Sequence, residues 1–169
     1  MSLGKQAKVL SDRQVSTVLS FLKTTRDPLR NKAIFLLSVK AGMRAKEIAR
    51  LDWSMLTDAD GAMVDDISLI DSATKGRSGR NIPLNRELKL ALEEFLTSDS
   101  SGGRVIKSQR SRSVGAQTII NMFRVWYIEL GMAGCSSHSG RRTFITKAAS
   151  KVGQVGGSIR DVQMLAGHS

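Results

Sequence analysis

The 169-residue sequence predicts an α+β fold, mainly α, in which a compact helical domain carries a small antiparallel three-stranded sheet. Three observations predict it. Apolar residues recur at helical spacing through most of the chain, the stretch from 62 to 84 turns β-leaning around a Gly- and Ser-containing turn, and 41% apolar composition is enough for one core. Length and composition together place residues 1 to 169 in a single domain.

Residues 1 to 9 are read as a leader or linker. Ser11 opens S-x-x-Q, a capping box, and Val15, Val18, Leu19 and Leu22 follow at helical spacing, which predicts an amphipathic helix over 11–23. Asp27 and Pro28 suit the cap and first turn of a second helix, whose run AIFLLSVKA is apolar nearly all round, ends at Gly42 and belongs in the core. A short helix follows over Ala45 to Leu51. "AMVDDISLIDSA" and "RNIPL" flank "TKGRSG", predicting antiparallel strands joined by a turn between 62 and 84. Asn85 caps a helix through Leu96, and the Ser-, Gly- and Arg-rich "TSDSSGGRVIKSQRSR" reads as a mobile basic loop. Ser113 to Leu130 is the longest helical pattern, Ser139 to Ser150 is another, and Ser158 with Asp161 forms a capping box before a last helix ending at Gly167.

Lys and Arg number 26 against 15 acidic residues, a net charge of +11 that favours a polyanionic partner, nucleic acid first and an anionic membrane surface second. No apolar run approaches the roughly 20 residues of a spanning helix, and the start lacks the layout of a signal peptide, so the expectation is a cytoplasmic protein without a membrane partner. The single cysteine, Cys135, excludes an intramolecular disulfide and a thiolate cluster; with two histidines in the chain, no metal site is expected. Cys135 is read as a packed residue rather than a nucleophile served by His138.

Four short stretches can carry chemistry. In "AGMRAKEIARLDW", Arg44 and Glu47 are three residues apart, where a carboxylate can hold a guanidinium rigid or simply form a surface ion pair. "TKGRSGR" presents Lys75, Arg77 and Arg80 around a turn, as reaching cations or as solubilising charge. "HSGRRTF" places His138, Arg141 and Arg142 at a helix start, where backbone N–H groups favour phosphate. "LAGHS" puts His168 just after a helix-ending glycine, where a histidine can also cap carbonyls.

In this order the four stretches resemble the tyrosine recombinase (phage integrase) family over about residues 10 to 169. "GMRAKEIARLDW" resembles its first-arginine segment, "TKGRSGRNIPL" its lysine hairpin with the Pro83–Leu84 pair, "HSGRRTFIT" its H-x-L-R-[HR]-[ST]-F segment, and "IRDVQMLAGHS" its helix ending in Gly-His. The resemblance implies site-specific DNA cleavage and rejoining through a 3′-phosphotyrosyl link, with double-stranded DNA and other protomers as partners and no cofactor. It implies catalytic roles for Arg44 and Arg141 on the phosphate, Lys75 as general acid, and His138 and His168 as proton-transfer or hydrogen-bonding groups, with Glu47 behind Arg44. The remaining cations, Arg77, Arg80, Lys107, Arg110, Arg112 and Arg142, are expected on the DNA backbone.

Two departures stand out. The family's nucleophilic tyrosine lies beyond its Gly-His, and the single tyrosine here, Tyr127, sits in the earlier helical pattern "IINMFRVWYIEL". The expectation is therefore a catalytic domain that lacks both its C-terminal tyrosine segment and the family's N-terminal DNA-clamping domain, and is inactive as this fragment; a non-catalytic DNA-binding module of the same fold is the alternative. The second departure is Gly140, where the family usually has an apolar residue, and which is expected to loosen the helix start.

Overall fold

Helix α2 (Pro28–Val39) is the centre of the molecule: Ala33, Ile34, Phe35, Leu36, Leu37 and Val39 are all buried, as the all-round apolar run requires. The structure, a computed structural model, describes residues 6–69 and 79–167. Around α2 pack α1 (Asp12–Leu22), α3 (Ala45–Arg50), α4 (Arg86–Ser98) and α6 (Ser139–Val152); α5 (Ala116–Glu129) lies against α3, and α7 (Ile159–Ala166) against α6 and strand β2. Caps fix the boundaries. Ser11 and Gln14 form the expected capping box of α1, Asn85 Oδ1 accepts from the Glu87 and Leu88 amides at the start of α4, and Ser158 with Asp161 closes the N terminus of α7. Helix α5 begins at Ala116, behind Gly115, three residues later than the pattern from Ser113 predicts.

The predicted third strand is not found among the described residues. β1 (Asp66–Leu69) pairs antiparallel with β2 (Arg80–Pro83), Ile67 opposite Ile82 and Leu69 opposite Arg80. Residues 62–64 instead meet the chain at one isolated bridge, Thr57 to Met63, because Asp58 Oδ1 accepts from the Asp60 and Ala62 amides and turns the backbone too tightly for a ladder. The alternation of β2 buries Arg80 and Ile82 and exposes Asn81 and Pro83.

Two further expectations change. The stretch read as a mobile basic loop is pinned at its middle: Val105 and Ile106 are fully buried, the Val105 amide donates to the Leu51 carbonyl at 2.9 Å, and the Trp53 amide donates to that of Gly103 at 2.9 Å. At the start of the chain, residues 7 to 10 are part of the domain rather than a leader, since Lys8 N donates to Gly134 O at 2.9 Å and buried Leu10 N donates to Thr143 Oγ1 at 2.8 Å.

Gly140 does not loosen its helix. A Cβ there would lie 2.3 Å from Ser38 Oγ and 3.1 Å from the Ser38 carbonyl carbon, so the glycine allows α6 to approach α2 closely, and α6 runs unbroken from Ser139. Gly42 is required on two counts. Its φ of +65° is left-handed, and a Cβ would overlap Phe144 Cδ1 at 2.3 Å.

Candidate functional site

The left-handed turn at Gly42 ends α2's excursion and aims two groups at one place: the Gly42 carbonyl and, two residues on, the Arg44 side chain at the start of α3. Glu47 is on the first turn of α3 with its carboxylate 2% exposed. Arg44 Nη1 donates to Glu47 Oε1 at 3.1 Å while Arg44 itself stays 32% exposed, so the pair foreseen from spacing is half-sunken, with the carboxylate inside and part of the guanidinium reaching the surface.

The other oxygen of Glu47 meets Arg80. Arg80 Nη2 approaches Glu47 Oε2 at 2.7 Å, a close ionic contact too oblique for a well-formed hydrogen bond, and the Arg80 side chain is 6% exposed. Arg80 was expected among the surface cations that grip a DNA backbone; its place on the inner face of β2 beside Ile82 removes it from that set. The missed signal was available. In "RNIPL" an arginine shares strand parity with an isoleucine, and an arginine on an apolar face needs a carboxylate, which Glu47 supplies.

Arg141, on the first turn of α6, is buried. Its Nη1 donates to the Gly42 carbonyl at 2.6 Å and its Nη2 to the Ala166 carbonyl at the end of α7, also at 2.6 Å. Burial, and then the neighbouring charges of Arg44 and Arg80, bring its pKa down to about 10, with Glu47 pulling the other way. Arg80 is lowered for the same first reason, burial, which Glu47 opposes and Arg44 reinforces. Arg44, Arg80, Arg141 and Glu47 therefore form one electrostatic unit with a net of two positive charges around a single buried carboxylate. Such a unit is relieved by an anion that accepts several hydrogen bonds, and a phosphodiester with two non-bridging oxygens fits that description.

The two adjacent arginines of "HSGRRTF" separate. Arg141 turns inward, whereas Arg142 Nη1 donates to the Ala7 carbonyl and ties the start of the chain to α6. His138 is the residue before α6 and is exposed. Lys107 Nζ is held by Asp99 Oδ2 at 2.7 Å and Ser101 Oγ at 2.7 Å, so its charge is largely spent within the fold, while Arg110 and Arg112 are exposed on the segment before α5. Lys75, Arg77 and His168 lie outside the described residues. Gly167, just before His168, has φ +70° and sits against Arg80: a Cβ on it would be 2.4 Å from Arg80 Nη1.

Tyr127 is buried on α5, stacked with Phe123 at 6.2 Å between ring centroids, and burial followed by the nearby Cys135 pushes its phenol well above the usual range. Both effects disfavour a phenolate nucleophile. Among the described residues no helix is long and apolar enough to cross a membrane, and no group of His, Cys, Asp and Glu could hold a metal ion.

Residues 8–169 match the model of the phage integrase family. The chain is 28% identical over 173 aligned residues to tyrosine recombinase XerC of Herpetosiphon aurantiacus, covering 96% of this chain and 52% of that protein, and 28% identical to XerD of Haemophilus ducreyi, covering 96% and 54%. It spans about half the length of these curated relatives. Among solved structures it resembles the XerA recombinase, with a TM-score of 0.77 at 23% identity over 97% of this chain and 57% of that one. It also resembles the Tn1549 transposon integrase in complex with a circular intermediate DNA, with a TM-score of 0.74 at 16% identity over 99% and 60%.

Proposed function

With the chain belonging to the phage integrase family over residues 8–169 as premise, we propose that it is the DNA-binding catalytic domain of a cytoplasmic site-specific tyrosine recombinase, acting on double-stranded DNA together with other protomers and without a cofactor. The single observation that carries this reading is the Arg44–Glu47–Arg80–Arg141 unit, whose net positive charge is built into the fold rather than scattered on its surface.

In this reading Arg44 and Arg141 stabilise the charge that builds on the non-bridging oxygens as a tyrosine attacks the phosphodiester. Lys75 protonates the leaving 5′-oxygen, and His138 and His168 assist proton transfer or donate to the phosphate. A 3′-phosphotyrosyl link and a free 5′-hydroxyl result, and attack of a hydroxyl from another strand on that link rejoins the DNA. Tyr127 is not the attacking group, so these 169 residues bind DNA but do not form the link unaided. Arg77, Arg110 and Arg112 contact the flanking backbone.

Two measurements test the proposal. Log affinity of the chain for duplex DNA is expected to fall with log salt by about 0.9 per phosphate neutralised; a slope near zero overturns the DNA-binding reading. In a longer chain that carries a tyrosine beyond residue 169, Arg44→Ala is expected to abolish the covalent DNA adduct and leave salt-sensitive binding largely intact. An adduct yield unchanged by Arg44→Ala refutes the site, and salt-sensitive binding with no adduct in the unsubstituted longer chain favours the non-catalytic module.

A further inference from the structure

Arg80 presents a puzzle of energetics. Its guanidinium is 6% exposed, its Nε has no hydrogen-bond partner among the described residues, and it stands near two other arginines. A buried ion pair contributes little to stability compared with apolar residues of the same volume. Stability alone is a poor reason for this arginine; orientation is a better one.

The geometry supplies that reason. Glu47 divides its two oxygens between two guanidiniums, Oε1 to Arg44 at 3.1 Å and Oε2 to Arg80 at 2.7 Å; Oε1 also accepts from the Arg44 amide at 3.4 Å, and Arg80 holds the other oxygen, so the two ends together fix the rotation of the carboxylate about its last bond. Released from Arg80, the carboxylate can turn both oxygens onto Arg44 and draw it inward. The same Arg80 side chain lies in contact with Gly167, and the residue before it, Ala166, offers its carbonyl to Arg141 at 2.6 Å. One side chain thus touches the supports of both phosphate-facing arginines. We propose that Arg80 is a positioning residue for the phosphate site: from the first residue of β2 it holds Glu47 so that Arg44 stays extended, and it seats the end of α7 so that Ala166 meets Arg141.

This inference rests on the phosphate-site reading above, and the test separates the two. The probe is inorganic phosphate, titrated into the 169-residue chain while the arginine Nε–H resonances are followed by NMR. In the double variant Arg80→Met/Glu47→Gln the unit keeps its net of two positive charges and loses the buried ion pair whole, so stability is expected to stay near that of the parent. Phosphate affinity is nonetheless expected to fall by about tenfold or more, and the Arg44 resonance is expected to be displaced before any phosphate is added. Phosphate binding within about twofold of the parent overturns the proposal.

Arg80→Lys gives a second reading that does not depend on the double variant folding. The ammonium still pairs with Glu47 but has no second nitrogen to set against Gly167, so a partial loss of about three- to tenfold is expected, and parental affinity again overturns the proposal. Failure of the underlying reading looks different: the parent itself does not bind phosphate, or Arg44→Ala binds it as well as the parent does.

Discussion

Replacing Gly140 by alanine probes the helix contact that carries Arg141. A Cβ at that position meets Ser38 Oγ at 2.3 Å, Ser38 Cβ at 2.9 Å and the Ser38 carbonyl carbon at 3.1 Å, and Ser38 is fully buried in the last turn of α2. The hydroxyl can rotate away, but the Cβ and backbone contacts yield only if α6 moves off α2. Overpacking of this kind costs about 1–3 kcal/mol, and the better helix propensity of alanine returns at most about 1 kcal/mol. A net destabilisation of about 1–2 kcal/mol follows, which lowers Tm by about 2–8 °C in a domain of this size. Urea unfolding of parent and variant should show a lower midpoint at an unchanged m-value. Ser38→Ala sharpens the test: Ser38 Oγ has no hydrogen-bond partner among the described residues, so its removal is expected to be neutral or stabilising alone and to restore part of the loss in the Gly140→Ala background. A Gly140→Ala chain as stable as the parent, or more so, refutes the close-approach argument.

Two other predictions concern groups away from the arginine unit. Burial tends to raise the Asp99 pKa, but hydrogen bonds from Lys107, Ser101 and Trp53 outweigh it and hold the carboxyl well below its ordinary 3.8. The ionised form is thus favoured by folding, and its contribution is present above about pH 3.8 and lost as the pH falls through the lower folded value. Asp99→Asn is expected to cost about 1–2 kcal/mol at neutral pH, with the gap to the parent closing below pH 4 in acid-unfolding curves; a constant gap contradicts the assignment. The Tyr127 hydroxyl is buried with no hydrogen-bond partner among the described residues, so Tyr127→Phe should unfold at the parental midpoint or up to about 1 kcal/mol above it, and a loss beyond about 1 kcal/mol means that the hydroxyl is satisfied.

Most helices could be read directly because their ends carry their own chemistry. Ser11 with Gln14, Asn85, and Ser158 with Asp161 each cap in the structure as their spacing requires, and the all-apolar run after Pro28 could only be central. What failed was tertiary. Nothing local in "SSGGRVIKSQ" says that Val105 pairs its backbone with Leu51, because that partner is distant in sequence; the stop of residues 62–64 at one bridge is set instead by the nearby Asp58 turn, which β-leaning composition does not reveal. At the site, i, i+3 spacing was enough to pair Arg44 with Glu47, but only the parity of β2 assigns Arg80 to the same carboxylate, and only the fold separates Arg141 from Arg142.

The two carbonyl bonds of Arg141 also set the order in which the molecule can assemble. One partner lies 99 residues earlier in the chain and the other 25 residues later. Arg44, Glu47 and Arg80 are brought together by the first half of the chain, yet the guanidinium that completes the unit gains its Ala166 partner only after α7 has been synthesised and docked. Contacts of such long range form late, since their loop-closure cost is met before they give any return. A nascent chain folding from its N terminus therefore holds Arg141 without its Ala166 partner until α7 is in place, and any later undocking of α7 leaves this guanidinium to its bond with the Gly42 carbonyl while the core around α2 stays folded.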